Sequence, residues 1–247
     1  MASVTLLSTE DLSRHFGGLR AVEGVDFDLE AGEVRAIIGP NGAGKSTFVS
    51  LISGRLLPTR GRVLLAGEDI TALPAWRRVG LGIAYTFQVT SIFGNLSMFD
   101  NVALAAQSSL QRGAPPWRPL APAKLAHNTI AALDQVGLDA RHDTIASELP
   151  YGHQRLVEIA IGLALRPRLL ILDEPTQGLA DSEIADFCTL VRTISAETTV
   201  LLIEHNMDVV MQLADRITVM AEGRILAEGP PAAIRADPAV QAAYLGG

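Results

Sequence analysis

The stretch Gly39-Pro40-Asn41-Gly42-Ala43-Gly44-Lys45-Ser46-Thr47 decides the fold. It fits G-x-x-x-x-G-K-[ST] at every fixed position, and its flanks have the right character. Val34-Arg35-Ala36-Ile37-Ile38 before it reads as a strand, and Lys45 to Ser53 after it has helical spacing. Strand, glycine-rich loop and helix in that order make a cradle for phosphate. Small residues at Asn41, Gly42, Ala43 and Gly44 let backbone N–H groups curl into a nest around a β-phosphate. The helix opening at Gly44–Lys45 aims its positive end at the same anion. Lys45 adds a charge that reaches the β- and γ-phosphates, the Ser46 hydroxyl offers a Mg²⁺ position and ends the motif, and Thr47 follows it as a further candidate phosphate contact.

Further along the chain, Leu169-Leu170-Ile171-Leu172 is an apolar run of the buried parallel-strand kind, and it ends in Asp173-Glu174. Two acids at a strand end are ordinary alone. After a phosphate loop they form the second part of a nucleotide hydrolase. Asp173 is expected to hold Mg²⁺, usually through water. Glu174 is expected to polarise the attacking water as general base.

The rest of the pattern surrounds these two motifs. Val4–Leu7, Val25–Leu29, Arg62–Leu65 and Gly82–Phe87 read as strands. A helical region from Met98 to about Gln135 is broken by the Pro- and Gly-rich segment 112–119, and another helix is expected over Gln154–Leu165. The final third alternates: helix Asp181–Ser195, strand Thr199–Ile203, helix Asn206–Leu213, strand Ile217–Met220, then a Glu222-Gly223-Arg224 hairpin turn and short terminal helices. Strand–helix alternation at both ends of the chain predicts an α/β sheet.

Composition narrows the function classes. The chain has 247 residues, 20 Lys+Arg against 27 Asp+Glu, and a formal charge of −7, which argues against a free-standing nucleic-acid binder. Cys188 is the single cysteine, so an internal disulfide framework is excluded and intracellular residence is the expectation. The longest apolar run, Ile159–Leu165, stops at Arg166-Pro167, short of the ~20 residues a bilayer span needs. Met1 to Asp11 has no basic n-region, so no signal peptide is expected. Mean hydropathy is +0.26 with 48% hydrophobic residues, which fits a well-filled core or a surface covered by partners.

Four more segments fall in order around the two motifs. Gln88 ends the Tyr85-Thr86-Phe87 strand, and Leu149-Pro150-Tyr151-Gly152-His153-Gln154-Arg155 opens a helix. Asp173-Glu174-Pro175-Thr176 runs on to Gly178-Leu179-Ala180-Asp181, and His205 follows Leu201-Leu202-Ile203-Glu204. This series closely resembles the ATP-binding subunit of ABC transporters, from Leu6 to the end of the chain. The resemblance implies a P-loop NTPase ABC ATPase fold: a RecA-like core, an N-terminal antiparallel β subdomain and an inserted helical subdomain. It implies one domain over 1–247, with core and β subdomain at about 1–90 and 167–247 and the helical subdomain at about 91–166.

The resemblance also carries roles. Phe16 stands where the family stacks an aromatic on adenine. Gln88 matches the glutamine that approaches Mg²⁺ and the attacking water and links to the membrane subunit. His205 matches the switch histidine on the γ-phosphate. Pro150, Tyr151, Gly152 and His153 occupy the signature segment, which binds the γ-phosphate of ATP held by a second ATPase subunit. This signature departs from L-S-G-G-Q: Pro150 replaces the serine, Tyr151 the first glycine and His153 the glutamine. Ala180 stands where an aspartate is common in the loop after the second motif.

Within the family, several segments look like the branched-chain amino acid importer ATPases. They are Phe16 to Val22, Arg77 to Gln88, the Pro-rich insert at 112–122, the Tyr151-Gly152 core, Ile203 to Met207 and Tyr244-Leu245-Gly246. That likeness implies ATP and Mg²⁺ as cofactors. It implies a homo- or heterodimer of ATPases, two transmembrane permease subunits and, indirectly, a periplasmic solute-binding protein. It places the chain peripherally on the cytoplasmic face of the inner membrane. Relatives carry amides, urea or aromatic acids. A lipopolysaccharide-transport ATPase and a soluble, non-transport ABC ATPase are the alternative readings. A poorly hydrolytic member of a heterodimer is the third.

Overall fold

The computed structural model describes residues 4–87, 91–113, 115 and 119–245. In chain order the elements begin β1 (Thr5–Phe16), β2 (Leu19–Glu30), β3 (Val34–Ile38), α1 (Lys45–Ser53), β4 (Arg60–Leu65), β5 (Glu68–Asp69), α2 (Ala75–Gly80) and β6 (Ile83–Thr86). They continue with α3 (Met98–Leu110), α4 (Pro122–Gln135), α5 (Tyr151–Ala164), β7 (Leu169–Asp173), α6 (Asp181–Ser195) and β8 (Thr199–Ile203). The last are α7 (Met207–Leu213), β9 (Arg216–Ala221), β10 (Arg224–Gly229), α8 (Pro231–Ala236) and α9 (Pro238–Leu245). The chain forms two compact units, Met1–Arg78 with Arg192–Gly247, and Val79–Val191.

The first unit holds an antiparallel sheet in the order β2-β1-β4-β5. It also holds strands in the order β10-β9-β3-β8, in which β3 runs parallel to β8 and β9. Every residue of β3 and β8 is buried, as expected for strands covered on both faces. Ala36, Ile38, Val210, Ile217, Val219 and Ile234 form one apolar cluster beside β3. The Glu222-Gly223 turn is a hairpin as expected, with both residues at positive φ (49° and 76°), the geometry of a two-residue primed turn.

In the second unit β6 pairs in parallel with β7, from Ile83 opposite Leu169 to Thr86 opposite Leu172. Helices α3, α4 and α5 pack on one another, and α5 also packs on β6. Val102, Ala106, Leu133, Val157 and Ala160 are buried at those contacts. Ser97 caps α3 by accepting the Asp100 N–H at 3.0 Å.

Several elements differ from the sequence reading: β2 starts at Leu19 rather than Val25, β5 is absent from that reading, and three further differences have a physical reason. β1 continues past Leu7 to Phe16, because a bulge carries it through Asp11 (φ 47°) while it stays paired to β2 and β4. The acidic pair Glu10-Asp11 breaks the apolar alternation that marks a strand in sequence. α5 begins at Tyr151 rather than Gln154, since Pro150 sits in the extended geometry of an N-cap and its carbonyl accepts the Gln154 N–H at 3.1 Å. α2 is absent from the sequence reading. It is held by Arg78, which is fully buried and donates to the carbonyls of Leu51 and Ile52 (2.7 Å each), Thr71 (2.8 Å) and Leu73 (2.9 Å). Burial lowers its pKa to about 10, so it stays charged at neutral pH among carbonyl oxygens at the end of α1.

Candidate nucleotide site

In the first unit β3 ends at Ile38 and the chain turns through Gly39 to Gly44 into α1. Two of these glycines are sterically required. A Cβ on Gly39 (φ 151°) would fall on the Met220 carbonyl oxygen, and one on Gly44 (φ 97°) on the Ala21 carbonyl oxygen. Gly42 (φ 81°) faces open space. The loop is fixed from outside by the β9–β10 hairpin: Gly223 N–H donates to the Ala43 carbonyl at 3.0 Å, and Glu23 N–H to the Gly223 carbonyl at 2.9 Å. Phe48 is buried one turn into α1 and packs edge-on against Phe27 at 5.4 Å between centroids.

α1 starts with Gly44 at the cap, no side-chain cap and no acidic residue in its first turn. The positive end of its dipole, at Lys45, Ser46 and Thr47, therefore faces no carboxylate of the helix's own first turn. Lys45 Nζ donates to the Gly39 carbonyl at 2.6 Å and the Pro40 carbonyl at 3.0 Å, which holds the ammonium across the loop. Asn41, Gly42 and Ser46 are exposed and Ala43 is buried beneath them.

His205 leaves β8, the parallel neighbour of β3, at the same end of the strands as the loop. Ligands collect at the carboxyl edge of such a sheet. The turn there is shaped by Glu204, which is 1% exposed. Its carboxylate accepts the N–H of His205 at 3.0 Å and of Asn206 at 3.1 Å. Asn206 in turn caps α7 through the N–H of Asp208 at 3.1 Å. His205 itself is exposed. Phe16, at the end of β1, is 44% exposed with the Arg14 guanidinium 4.6 Å from its ring centroid. It is an accessible aromatic, as stacking requires.

In the second unit β7 is buried throughout and ends in Asp173. The Tyr85 hydroxyl donates to Asp173 Oδ2, which fixes the orientation of that carboxylate. The next residue, Glu174, is held at φ 47°, a conformation that costs a non-glycine residue about 1–3 kcal/mol and gathers at functional sites. Gly178 (φ 81°) follows, with the Tyr151 ring against it: an added Cβ would lie 3.0 Å from Tyr151 Cε1.

The signature segment is the first turn of α5. Like α1 it has no side-chain cap and no acidic residue of its own in that turn. Gln154 Nε2 donates to the Leu149 carbonyl at 2.9 Å. A Cβ on Gly152 would fall on the Glu183 carboxylate. Glu183 Oε2 also accepts the Ala180 N–H at 2.8 Å, the return half of a capping box whose forward half Ala180 cannot make. His153 Nδ1 is buried without a hydrogen-bond partner. Gln88 lies outside the described residues. Its neighbour Phe87 donates its N–H to Glu158 at 3.0 Å, and Arg155 donates to its carbonyl at 2.6 Å.

No cluster of three or more His, Cys, Asp or Glu that could hold a metal ion occurs among the described residues. Ser46 in the first unit and Asp173 in the second are each a hard oxygen donor of the kind that Mg²⁺ takes. Sequence reasoning gave no site role to Tyr85, Glu183 or Glu204, and it read the Gly223 turn as a hairpin without its hold on the phosphate loop. Each acts on a motif residue through folded contacts, and no spacing rule connects them.

Residues 22–177 match the ABC transporter family, and residues 224–247 match a family described as branched-chain amino acid ATP-binding cassette transporter. The high-affinity branched-chain amino acid transport ATP-binding protein LivG of Escherichia coli K12 is 37% identical over 253 residues, 99% of each chain. The BraF protein of Pseudomonas aeruginosa, with the same description, is 38% identical over 98% of each. Among solved structures, an ATP-binding cassette of an ABC transporter in its ADP conformation superposes with a TM-score of 0.87. It is 30% identical over 98% of this chain and 99% of that one.

Proposed function

Because this chain belongs to the ABC transporter ATP-binding family, we propose that it is the ATP-hydrolysing subunit of an importer for branched-chain amino acids or related small polar solutes. The observation that carries the reading is full-length similarity to two such importer ATPases, together with a phosphate loop whose glycines are sterically fixed. The match of residues 224–247 to the branched-chain family supports the importer over the lipopolysaccharide alternative.

We assign Asn41 to Thr47 to the phosphates of ATP, with Lys45 on the β- and γ-phosphates, and Phe16 to the adenine. Ser46, Asp173 and Gln88 are the proposed Mg²⁺ residues; when bound, the ion neutralises phosphate charge. Glu174 takes a proton from the attacking water, and His205 contacts the γ-phosphate. Pro150 to His153 face the γ-phosphate of a second ATPase subunit. Residues 1–247 then work as one ATP-binding domain, attached to permeases at the cytoplasmic face of the inner membrane and serving a periplasmic binding protein. Two observations favour attachment over residence in the bilayer. No helix among the described residues is long and apolar enough to cross a membrane. Phe93, Leu96 and Leu104, near the start of the helical segment, are exposed apolar side chains suited to a protein partner.

The test is uptake of labelled leucine by cells carrying the chain with its neighbouring permease genes, beside Mg²⁺-ATP turnover of the purified chain. Uptake that persists with Glu174→Gln would refute energisation by this subunit.

A further inference from the structure

The β1–β2 hairpin of the first unit gathers several basic side chains near its tip, and Arg14 is spent differently from the rest. Arg60 pairs with Asp11 at 2.9 Å and lies 3.5 Å from Glu23. The Glu23 carboxylate also has His15 Nε2 at 2.6 Å and Arg20 Nε at 3.8 Å. Arg14 pairs with no carboxylate among the described residues. Its Nη1 donates to the Leu57 carbonyl at 3.0 Å, its Nε is buried without a hydrogen-bond partner, and its guanidinium lies 4.6 Å from the centroid of the Phe16 ring.

Stability alone is a poor reason for this placement. A buried N–H without an acceptor costs free energy, and one carbonyl and one ring are small compensation for a half-buried cation. What the placement secures is one face of Phe16. The hairpin closes on Gly17-Gly18, with Phe16 opposite Leu19 and both side chains exposed. The strand end beneath the ring is braced by Thr59, whose N–H donates to the Ser13 carbonyl at 2.8 Å and whose hydroxyl accepts the His15 N–H at 3.1 Å. From the same tip β2 runs back to the phosphate loop, where the Ala21 carbonyl stands against Gly44. Ring and phosphate cradle are thus carried on one hairpin, and the ring has one face taken by a cation. A cation on one face draws on the π-electrons of the ring, so the opposite face suits an electron-rich purine better than a pyrimidine.

We propose that Arg14 is a positioning residue for the base of the nucleotide: its guanidinium holds one face of Phe16, leaves the other to the base, and biases that face toward purines. The inference rests on the Phe16 role proposed above. Arg14 acts through the ring and does not touch the base.

The test uses the full-length chain with Arg14→Met, which keeps an apolar stem and loses the charge, Arg14→Lys, Phe16→Ala, and Arg14→Met combined with Phe16→Ala. Affinities for ATP, CTP and inorganic tripolyphosphate are measured beside KM and kcat. Arg14→Met should weaken ATP binding about two- to fivefold, with KM rising to match and kcat unchanged. Its preference for ATP over CTP should narrow, and its affinity for tripolyphosphate, which has no base, should equal that of the parent. Arg14→Lys keeps a cation within reach of the ring and should stay within about twofold of the parent. The double variant should bind ATP no more weakly than Phe16→Ala alone. Tripolyphosphate weakened as much as ATP overturns the proposal, since it marks a merely structural arginine. Arg14→Lys as weak as Arg14→Met also overturns it, since the loss then follows the Leu57 hydrogen bond rather than the charge. An unchanged ATP-to-CTP preference in Arg14→Met, with Phe16→Ala weak for ATP, overturns the inference alone. Parent affinity for ATP in Phe16→Ala overturns the role of Phe16 and the inference with it. Should Arg14→Met fail to fold, Arg14→Gln replaces it in every arm.

Discussion

The starts of α1 and α5 look alike in outline and differ in construction. Both lack a side-chain cap and an acidic residue of their own in the first turn, so both direct the positive end of a helix toward an anion. α1 is entered through glycines packed against the Met220 and Ala21 carbonyls, and it carries its own cation in Lys45. α5 is entered through Pro150, has the Tyr151 ring laid on Gly178 and the Glu183 carboxylate at Gly152, and has no lysine in its first turn. On the roles proposed above, the first holds the polyphosphate, the second adds N–H groups to a phosphate already held, and binding rests with the first unit. Turnover rests with the second, where Asp173 is fixed by Tyr85 and Glu174 sits strained at the strand end.

The sharpest division comes from Glu174→Gln. The amide keeps the shape and cannot take a proton, so turnover should fall by ~10²–10⁴-fold while ATP affinity is retained. Steady-state hydrolysis beside nucleotide titration checks it. Lys45→Ala should do the reverse kind of damage. It removes the mobile charge on the phosphates and should weaken ATP binding roughly a hundredfold, at the cost of one or two charge-assisted hydrogen bonds. Unchanged affinity would mean that the backbone cradle suffices and that α1 and α5 differ less than their construction suggests.

How far the sequence carried this comparison follows from the kind of interaction involved. α1, β3, α6 and β8 were legible to the residue, because glycine punctuation and unbroken apolar runs report local backbone needs. The nine residues of the phosphate loop were legible for the same reason. The turn at His205 was only half legible. The histidine follows a strand, as expected, but the buried Glu204 that shapes its backbone looks like any polar residue at a strand end. Arg78 was invisible as a core residue, since arginine reads as surface until four carbonyls gather around it. Tyr85 and Glu183 act on Asp173 and Gly152, far from them in the chain, and only folding brings them there.

A smaller effect tests the scaffold under α1. Gly44→Ala forces a side chain into positive φ and onto the Ala21 carbonyl, two penalties of about 1–3 kcal/mol each. Thermal unfolding should show a drop of several degrees. An equal substitution at Gly42, which faces open space, carries the φ strain alone and should cost less. If both cost the same, close packing does not shape the loop.

The smallest and most discriminating change is Pro150→Ser. In the proposed arrangement α5 serves the nucleotide of a second subunit, and proline there supplies neither a hydroxyl nor an N–H. One missing hydrogen bond to a charged group is worth ~1.5–3 kcal/mol, or roughly tenfold to a hundredfold in rate. The chain alone should therefore be a weak ATPase, best paired with a different subunit whose signature keeps its serine. A serine introduced by Pro150→Ser has two uses for its hydroxyl, because Pro150 is also the N-cap of α5. A hydroxyl spent on the helix's own N–H groups stabilises the fold by about 1 kcal/mol and leaves phosphate contacts as they were. The two uses separate cleanly. A higher melting temperature with unchanged turnover means capping. A several-fold rise in turnover of the isolated chain at matched concentration, beyond any change in melting temperature, means that the hydroxyl reaches a phosphate. Parent protein that is already fast alone, with no gain from Pro150→Ser, would show that the Gly152 and His153 N–H groups suffice and that α5 equals α1 after all.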